Sequence, residues 1–552
     1  MQLISQKTKA IMEECKIRAK DQGLQFDKET LEFVISNHEM TSLSAKNMIP
    51  SLYDYWVHDV DKTKSSRSYK LYPSNPYETV INTRPAISFY NDNNPDWLNV
   101  MIFYHVLGHI DFFQNNIFYE RTHQGDFWAK ALADKKVIKQ LRLDLGERSR
   151  FVDYVIECAR SLDNVVGFFR SLDPYSGSER FVFGEKLNYF FNDFLPKRLK
   201  EQTNKTKELM DRYNNLLKKC GPDNVEMIFF DSLVGDFPEF EEKYKKYLLH
   251  KSTKNEDVLE YLLNHSLLFR DANNAWMKDV INIVRDTSLY FFPQKFTKIM
   301  NEGWASFWHQ RLFILDDRIR GHEVDYAKLN SGVMRMPRLG LNPYGLGCCL
   351  FEFIENMANK GRFSFDYQYC DDAIERKKFD DKSGKGLDKI FDIRRHKCDT
   401  TFINYLSEKD YQDFCNQHKL MVVAKRIDYD RAREVYYVKS RKGEDHRQMV
   451  FNALLNDPII EVNRKKTRKG ILALNQKFEA KPLDESNIPT MLFYLSHLWG
   501  GDTIQLFSYR LVPQSRDKLA VIGRESLDEH MVIRIKHQWR KGKYTKEEVQ
   551  NE

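Results

Sequence analysis

WLNVMIFYHVLGHIDFF, residues 97–113, is apolar at nearly every position, the exceptions being Asn99, His105, His109 and Asp111. A helix that is apolar on all sides belongs in the interior of a protein. It is also too interrupted to cross a bilayer. Asn94-Pro95-Asp96 supplies its start, with Asn94 as N-cap, Pro95 at the first helical position and Asp96 in the first turn. His105 and His109, four residues apart, share one helix face. Two imidazoles so spaced can grip one metal ion, as in the zinc helix HExxH. Val106 stands where that motif has its glutamate, so the general base is missing from its usual place. The plainer alternative is a pair of buried histidines bonded to carbonyls or carboxylates.

A second buried helix is expected over 294–314, after Pro293 kinks or restarts the chain. Glu302 and His309 lie seven residues apart on it, about two turns, and so project at nearly the same angle. Phe296, Ile299, Met300, Trp304, Phe307, Trp308 and Leu312 surround them. A carboxylate in an apolar stripe is costly unless something holds it. A capping or salt-bridged glutamate beside a packed histidine would also satisfy the pattern. Gly303 costs about 1 kcal/mol relative to Ala inside a helix, which is tolerable where another backbone or a ligand must come close.

Further candidates lie outside these faces. Glu157, on an apolar helix expected over 151–172, is a third possible acid or an ordinary exposed one. Tyr104 is a proton donor or part of the aromatic core. Asn342-Pro343-Tyr344-Gly345-Leu346-Gly347 either closes over a site or joins two helices tightly.

The 552 residues suffice for a large core and more than one domain. Aromatic residues reach 13%, favouring ring-filled helix interfaces. The net charge of +7 is too mild to indicate nucleic acid by itself. Two basic clusters, Arg464-Lys465-Lys466 with Arg468-Lys469 and Arg540-Lys541 with Lys543, read as solvated surface, although Trp539 and Tyr544 flank the second and could stack on bases. Eight scattered cysteines without a CxxC pair suggest reduced thiols in a cytoplasmic protein. The N-terminal residues lack the apolar core of a signal peptide. GxxxxGK[ST], GxGxxG and GxSxG are all missing, which leaves kinase, NTPase, dehydrogenase and serine-hydrolase activities without support.

Periodicity predicts helices over 1–40, in KAIMEECKIRAK and ETLEFVIS, and extended segments and turns over 50–90. Residues 196–265 form a charged helical region or insertion. Beyond 406, MVVAKRID, EVYYVKSR, PIIEVNRKK and GILALNQ read as strands, with helices near 444–455 and 487–497. The expected fold is a mostly α main domain, 1–405, with a small α+β C-terminal domain, 406–552.

Several segments together resemble the SpoVR family, named for a stage V sporulation protein: PYETVINTRPAI (76–87), HVLGHIDFFQNN (105–116), NEGWASFWHQ (301–310), LNPYGLG (341–347), TTFINYLS (400–407) and HLWGGDTIQL (497–506). The resemblance implies a cytoplasmic protein linked to spore cortex formation, or to envelope and peptidoglycan physiology. It also implies a serine protein kinase and a von Willebrand-type protein as partners. It aligns the family's histidine pair with His105 and His109, its glutamate and histidine with Glu302 and His309, and its IAEC-like segment with Val155-Ile156-Glu157-Cys158. The family's HWxFGK segment reads Tyr55-Trp56-Val57-His58-Asp59 here, without its His and Gly.

The leading expectation is a metal-dependent, hydrolase-like site. His105, His109 and either Glu302 or His309 would bind a divalent ion, zinc for preference, with iron the alternative. Glu302 or Glu157 would take a proton, and His309 or Tyr104 would steady charge on the substrate. A non-catalytic regulatory scaffold and a non-haem di-iron protein are the competing expectations. The Glu-x-x-His spacing of ferritin-like sites is missing.

Overall fold

The computed structural model describes residues 2–36, 78–123, 127–166, 185–195, 222–233, 235–251, 256–337, 340–428, 433–454, 458–468, 470–478, 482–513 and 530–549, with a few positions between. The Tyr55–Asp59 segment, most of the Tyr- and Pro-rich stretch before residue 78, and Lys469 lie outside the described residues. The chain forms two compact units, residues 1–168 with 257–552, and residues 169–256.

The larger unit is built around two helices. The first, Asp96–Asn115, is buried at every position from Val100 to Phe113. Pro95, with extended backbone, stands at its cap in place of the expected Asn94. The second, Lys298–Phe313, follows a helix Trp276–Phe296 that contains Pro293 near its end. Proline removes one ladder hydrogen bond, and the chain breaks at Thr297 before restarting. Asp399 then caps the restart, its carboxylate accepting from the N–H groups of Ile299 and Met300 at 2.9 Å each.

Glycine sets how closely the helices approach. A methyl group at Gly108 would lie 2.7 Å from the Ala305 Cα, and one at Gly303 would lie 2.4 Å from the Gly347 Cα on helix Pro343–Asn359. Gly303 is therefore spent on a backbone contact, as its placement in a buried helix suggested.

A four-stranded sheet flanks this core: β1 (Gln2–Leu3), β2 (Thr30–Ile35), β3 (Glu78–Ile81) and β4 (Ala86–Asn91), in the order β1-β2-β4-β3. Here the helical expectation for ETLEFVIS is corrected. The segment is β2, paired in parallel with β4 from Thr30 opposite Ala86 to Ile35 opposite Asn91. Phe33-Val34-Ile35 suits a strand, and the six-residue run is too short to build an amphipathic helix. KAIMEECKIRAK does lie in a helix, Gln6–Asp21.

The C-terminal part is α+β. It contains a two-stranded ribbon, β5 (Val422–Asp428) with β6 (Arg433–Ser440), and a five-stranded sheet. That sheet holds β7 (Ile460–Val462), β8 (Ile471–Gln476), β9 (Thr503–Pro513), β10 (His530–Arg540) and β11 (Lys543–Val549), in the order β11-β10-β9-β8-β7. Helix Ile488–Trp499 packs on one face through Leu492, Leu495 and Leu498, against Leu472, Ile504 and Leu506. The main apolar core runs past residue 406 to include Tyr411, Phe414 and Val450. A second core joins helix Arg150–Arg160 and helix Trp276–Phe296 to the five-stranded sheet. Hydrophobic burial thus crosses the point where the sequence texture changes.

In the smaller unit, Phe190, Phe194, Phe229, Phe230 and Phe240 form an aromatic core. Lys186 lies over the Phe230 ring at 4.6 Å. The charge-rich sequence here hides a packed interior. No helix among the described residues is long and apolar enough to cross a membrane.

Candidate metal centre

Four elements deliver polar side chains to one place in the larger unit. Helix Asp96–Asn115 brings His105 and His109, and helix Lys298–Phe313 brings Asn301, Glu302 and His309. Strand β3 brings Glu78, and the first turn of helix Pro343–Asn359 brings Tyr344. The Nε2 atoms of His105 and His109 are 3.1 Å apart, and Glu302 Oε2 lies 3.6 Å from His109 Nε2. One ligand atom from each of His105, His109 and Glu302 falls within 4.8 Å of the others. Glu78 Oε1 lies 3.9 Å from His105 Nε2. The Tyr344 ring stacks along His105 at 6.1 Å, and burial, then the charges of Glu302 and Glu78, push its hydroxyl pKa up.

The outer hydrogen bonds determine which ring nitrogens carry protons. The Glu352 carboxylate accepts from Gln310 Nε2 at 3.3 Å, and Gln310 Oε1 accepts from Asn330 Nδ2 at 3.2 Å. That orients the Asn330 amide so that its Oδ1 accepts from His309 Nε2 at 3.1 Å. His309 Nδ1 is left as an acceptor, and the group it accepts from is His105 Nδ1, 2.9 Å away. His105 Nε2 therefore holds a lone pair. On the neighbouring turn, Asn301 Oδ1 lies 2.9 Å from His109 Nδ1, which leaves His109 Nε2 turned toward His105. Two imidazole Nε2 atoms thus lie 3.1 Å apart with a carboxylate alongside.

Electrostatics reinforce this. Burial, and then the neighbouring His109 and His309, hold the His105 pKa well below its ordinary value, keeping the ring neutral. Burial lowers His309 to about 4. Burial and the charge of Glu302 push Glu78 up to about 7. Among the described residues, no lysine or arginine pairs with Glu78 or Glu302; their ion-pair partners are the histidines. A compact cation would satisfy what the protein leaves open. Donors about 2.0–2.1 Å from a tetrahedral ion sit about 3.3 Å apart, and the two observed separations, 3.1 and 3.6 Å, bracket that value. The residues present fit a divalent ion held by two nitrogens and a carboxylate.

The structure sorts the sequence candidates. His105, His109 and Glu302 converge. His309 stands behind His105, its two ring nitrogens within hydrogen-bonding distance of His105 Nδ1 and Asn330 Oδ1. Glu157 lies elsewhere: its carboxylate accepts from the Tyr494 hydroxyl at 3.0 Å, beside the second core. Tyr104 turns away from the centre, its hydroxyl donating to Asp316 at 2.7 Å. Its side chain leaves the helix on a different face from the next residue, His105. Tyr344 belongs to the Asn342–Gly347 segment expected either to close over a site or to join two helices, whereas Glu78 and Asn330 carry no such expectation. Glu78 and Tyr344 do fall in the quoted segments PYETV and LNPYG, whereas nothing around Asn330 in the sequence marks it.

The model of a family described as SpoVR like protein matches residues 3–457. A relative from Escherichia coli (strain K12), described as "Uncharacterized protein YcgB", is 24% identical over 400 residues, covering 70% of this chain and 69% of its own length. No solved structure matches.

Proposed function

Since the chain belongs to the SpoVR family, we propose that it is a metal-dependent, hydrolase-like protein serving sporulation or cell-envelope physiology, with His105, His109 and Glu302 as the ligands of one divalent ion, zinc for preference. The observation that supports this is the meeting of two imidazole Nε2 atoms and a carboxylate in a cluster where, among the described residues, no lysine or arginine pairs with the acids. When bound, such an ion polarises a substrate oxygen and lowers the pKa of a coordinated water toward about 7.

The protein's own groups divide the remaining work. His309 and Asn301 hold the imidazoles in the tautomer that presents Nε2. Glu78 replaces the glutamate missing after His105. It comes from strand β3 rather than from a helix, and its raised pKa, about 7, suits proton transfer near neutrality. The Tyr344 hydroxyl, beside Glu302, can steady charge on a substrate oxygen. The sporulation and envelope assignment comes from the family's name and from the segments shared with it.

Metal analysis of the purified protein tests the reading. It should find about one divalent ion per chain, lost in His105→Ala and His109→Ala. Zinc would appear without colour, whereas iron would bring visible absorption and favour the non-haem alternative. Absence of any ion after incubation with zinc or iron, with Tm unchanged by either metal, would overturn it.

A further inference from the structure

The two basic clusters, more than seventy positions apart in sequence, are brought together by the register of the five-stranded sheet. Ile471 pairs with Thr503, Thr503 with Arg540, and Arg540 with Lys543. These residues form one cross-strand row at one end of the sheet, about 14 Å wide from β8 to β11 at the usual strand spacing. Arg468 is bridged directly to Ile471, so the turn bearing Arg464, Lys465, Lys466 and Arg468 lies at the same end of the sheet as the turn bearing Arg540, Lys541 and Lys543, with the start of β9 between them. All seven cations are exposed. The acid in the adjoining loop is Asp502.

The cations surround the end of the sheet. Arg464 lies over the Tyr261 ring at 5.8 Å, on the side of the covering helices. Lys466 lies over the Phe507 ring at 4.4 Å, on the opposite face. That face is polar beyond the basic row: Gln505, Gln538 and Thr545 occupy the next row, with Gln505 and Gln538 bonded at 2.9 Å. Lys536 follows and is paired with Glu547 at 2.6 Å. Trp539 and Tyr544 do not supply a base-stacking platform. Trp539 packs on Phe493 of helix Ile488–Trp499, and Tyr544 bonds His537.

We propose that this end of the sheet binds nucleic acid through its phosphates, without reading bases. Cations on both sides of an edge can follow a strand or a groove, whereas a planar membrane would meet only one side. The two turns, Arg464-Lys465-Lys466-Thr467-Arg468 and Arg540-Lys541-Gly542-Lys543, also contain no apolar side chain to enter a bilayer. Amide and hydroxyl groups of Gln505, Gln538 and Thr545 stand beside the basic row to bond phosphate or sugar oxygens. Phosphate binding of this kind is sequence-independent and strongly salt-dependent.

The test is fluorescence anisotropy of the full chain with a labelled oligothymidylate and a labelled mixed-sequence duplex, at low salt and over a salt series. The expected result is saturable binding to at least one of them. The charge reversal R540E/K541E/K543E should weaken it at least tenfold and flatten the log–log salt slope by about 2 for the single strand or about 3 for the duplex, three phosphate contacts being removed. Reversal of Lys377 and Lys378, exposed on helix Ala373–Lys378, should change affinity less than twofold, and circular dichroism should match wild type for both variants. Three outcomes would each overturn the proposal: no binding by wild type at low salt, equal weakening by the Lys377/Lys378 reversal, or binding to phosphatidylglycerol vesicles with none to either nucleic acid.

Discussion

Two buried polar clusters sit on the same pair of helices, and they are finished differently. Asp111 lies two residues beyond His109, and Trp304 two beyond Glu302. The Asp111 carboxylate accepts from the Gln25 N–H at 2.7 Å and from Trp304 Nε1 at 2.8 Å, and faces Arg394 at 3.4 Å. Its charge is matched and its oxygens are occupied, which ties the N-terminal segment, both helices and helix Gly386–His396 together. Across the helix, Glu78 and Glu302 face the imidazoles of His105 and His109 and each other. A buried acid supplied with a cation and donors builds the fold. A pair of acids with no lysine or arginine partner among the described residues is left open to a cation.

Breaking the closed cluster should have the largest effect. Asp111→Ala leaves Arg394 buried without its counter-ion and strips Trp304 Nε1 of its acceptor, so stability should fall by about 3–5 kcal/mol, read by urea unfolding. His105→Ala should behave oppositely. Without metal its Tm should stay close to that of wild type, because the ring it removes is neutral and no counter-ion is lost. The stabilisation by saturating zinc, about 2.7 kcal/mol at a hundredfold excess over Kd, should vanish. A large loss of stability without metal would mean that the open cluster is structural after all.

The orienting layer gives a finer test. Asn330→Leu removes the acceptor that sets the His309 tautomer, and metal affinity should drop about 10- to 100-fold, measured by competition with a chromogenic chelator. An unchanged affinity would break the proposed chain from Glu352 to His105. The smallest effect concerns Glu78. Its pKa is raised to about 7 in the fold from an ordinary 4.5, so its contribution to stability is fully present below about 4.5 and is lost as pH rises through about 7. In chelator, the Tm of Glu78→Gln should therefore gain on wild type as pH rises from 5 to 8. A difference independent of pH would sink that assignment.

Much of this was legible in the sequence because it rests on local pattern. The all-apolar helix around Tyr104, the i, i+4 histidines and the anomalous Gly303 can each be recognised within one or two helical turns. Strand β2 was misread for the same reason: six residues with mixed spacing satisfy either period, and only pairing with β4 decides between them. β9, β10 and β11 went unread as strands, and their register is what unites the two basic turns.

By itself, the sequence determined which helices must be buried and which residues on them would be expensive to bury, because periodicity and side-chain chemistry are properties of the chain. Only the tertiary structure decided which expensive residues meet. It separated Glu157 and Tyr104 from the centre, moved His309 behind His105, and brought Glu78 in from a strand. The close approach that does this occurs where Gly108 meets Ala305 and Gly303 meets Gly347. Those contacts join residues tens to hundreds of positions apart, where no local spacing rule reaches.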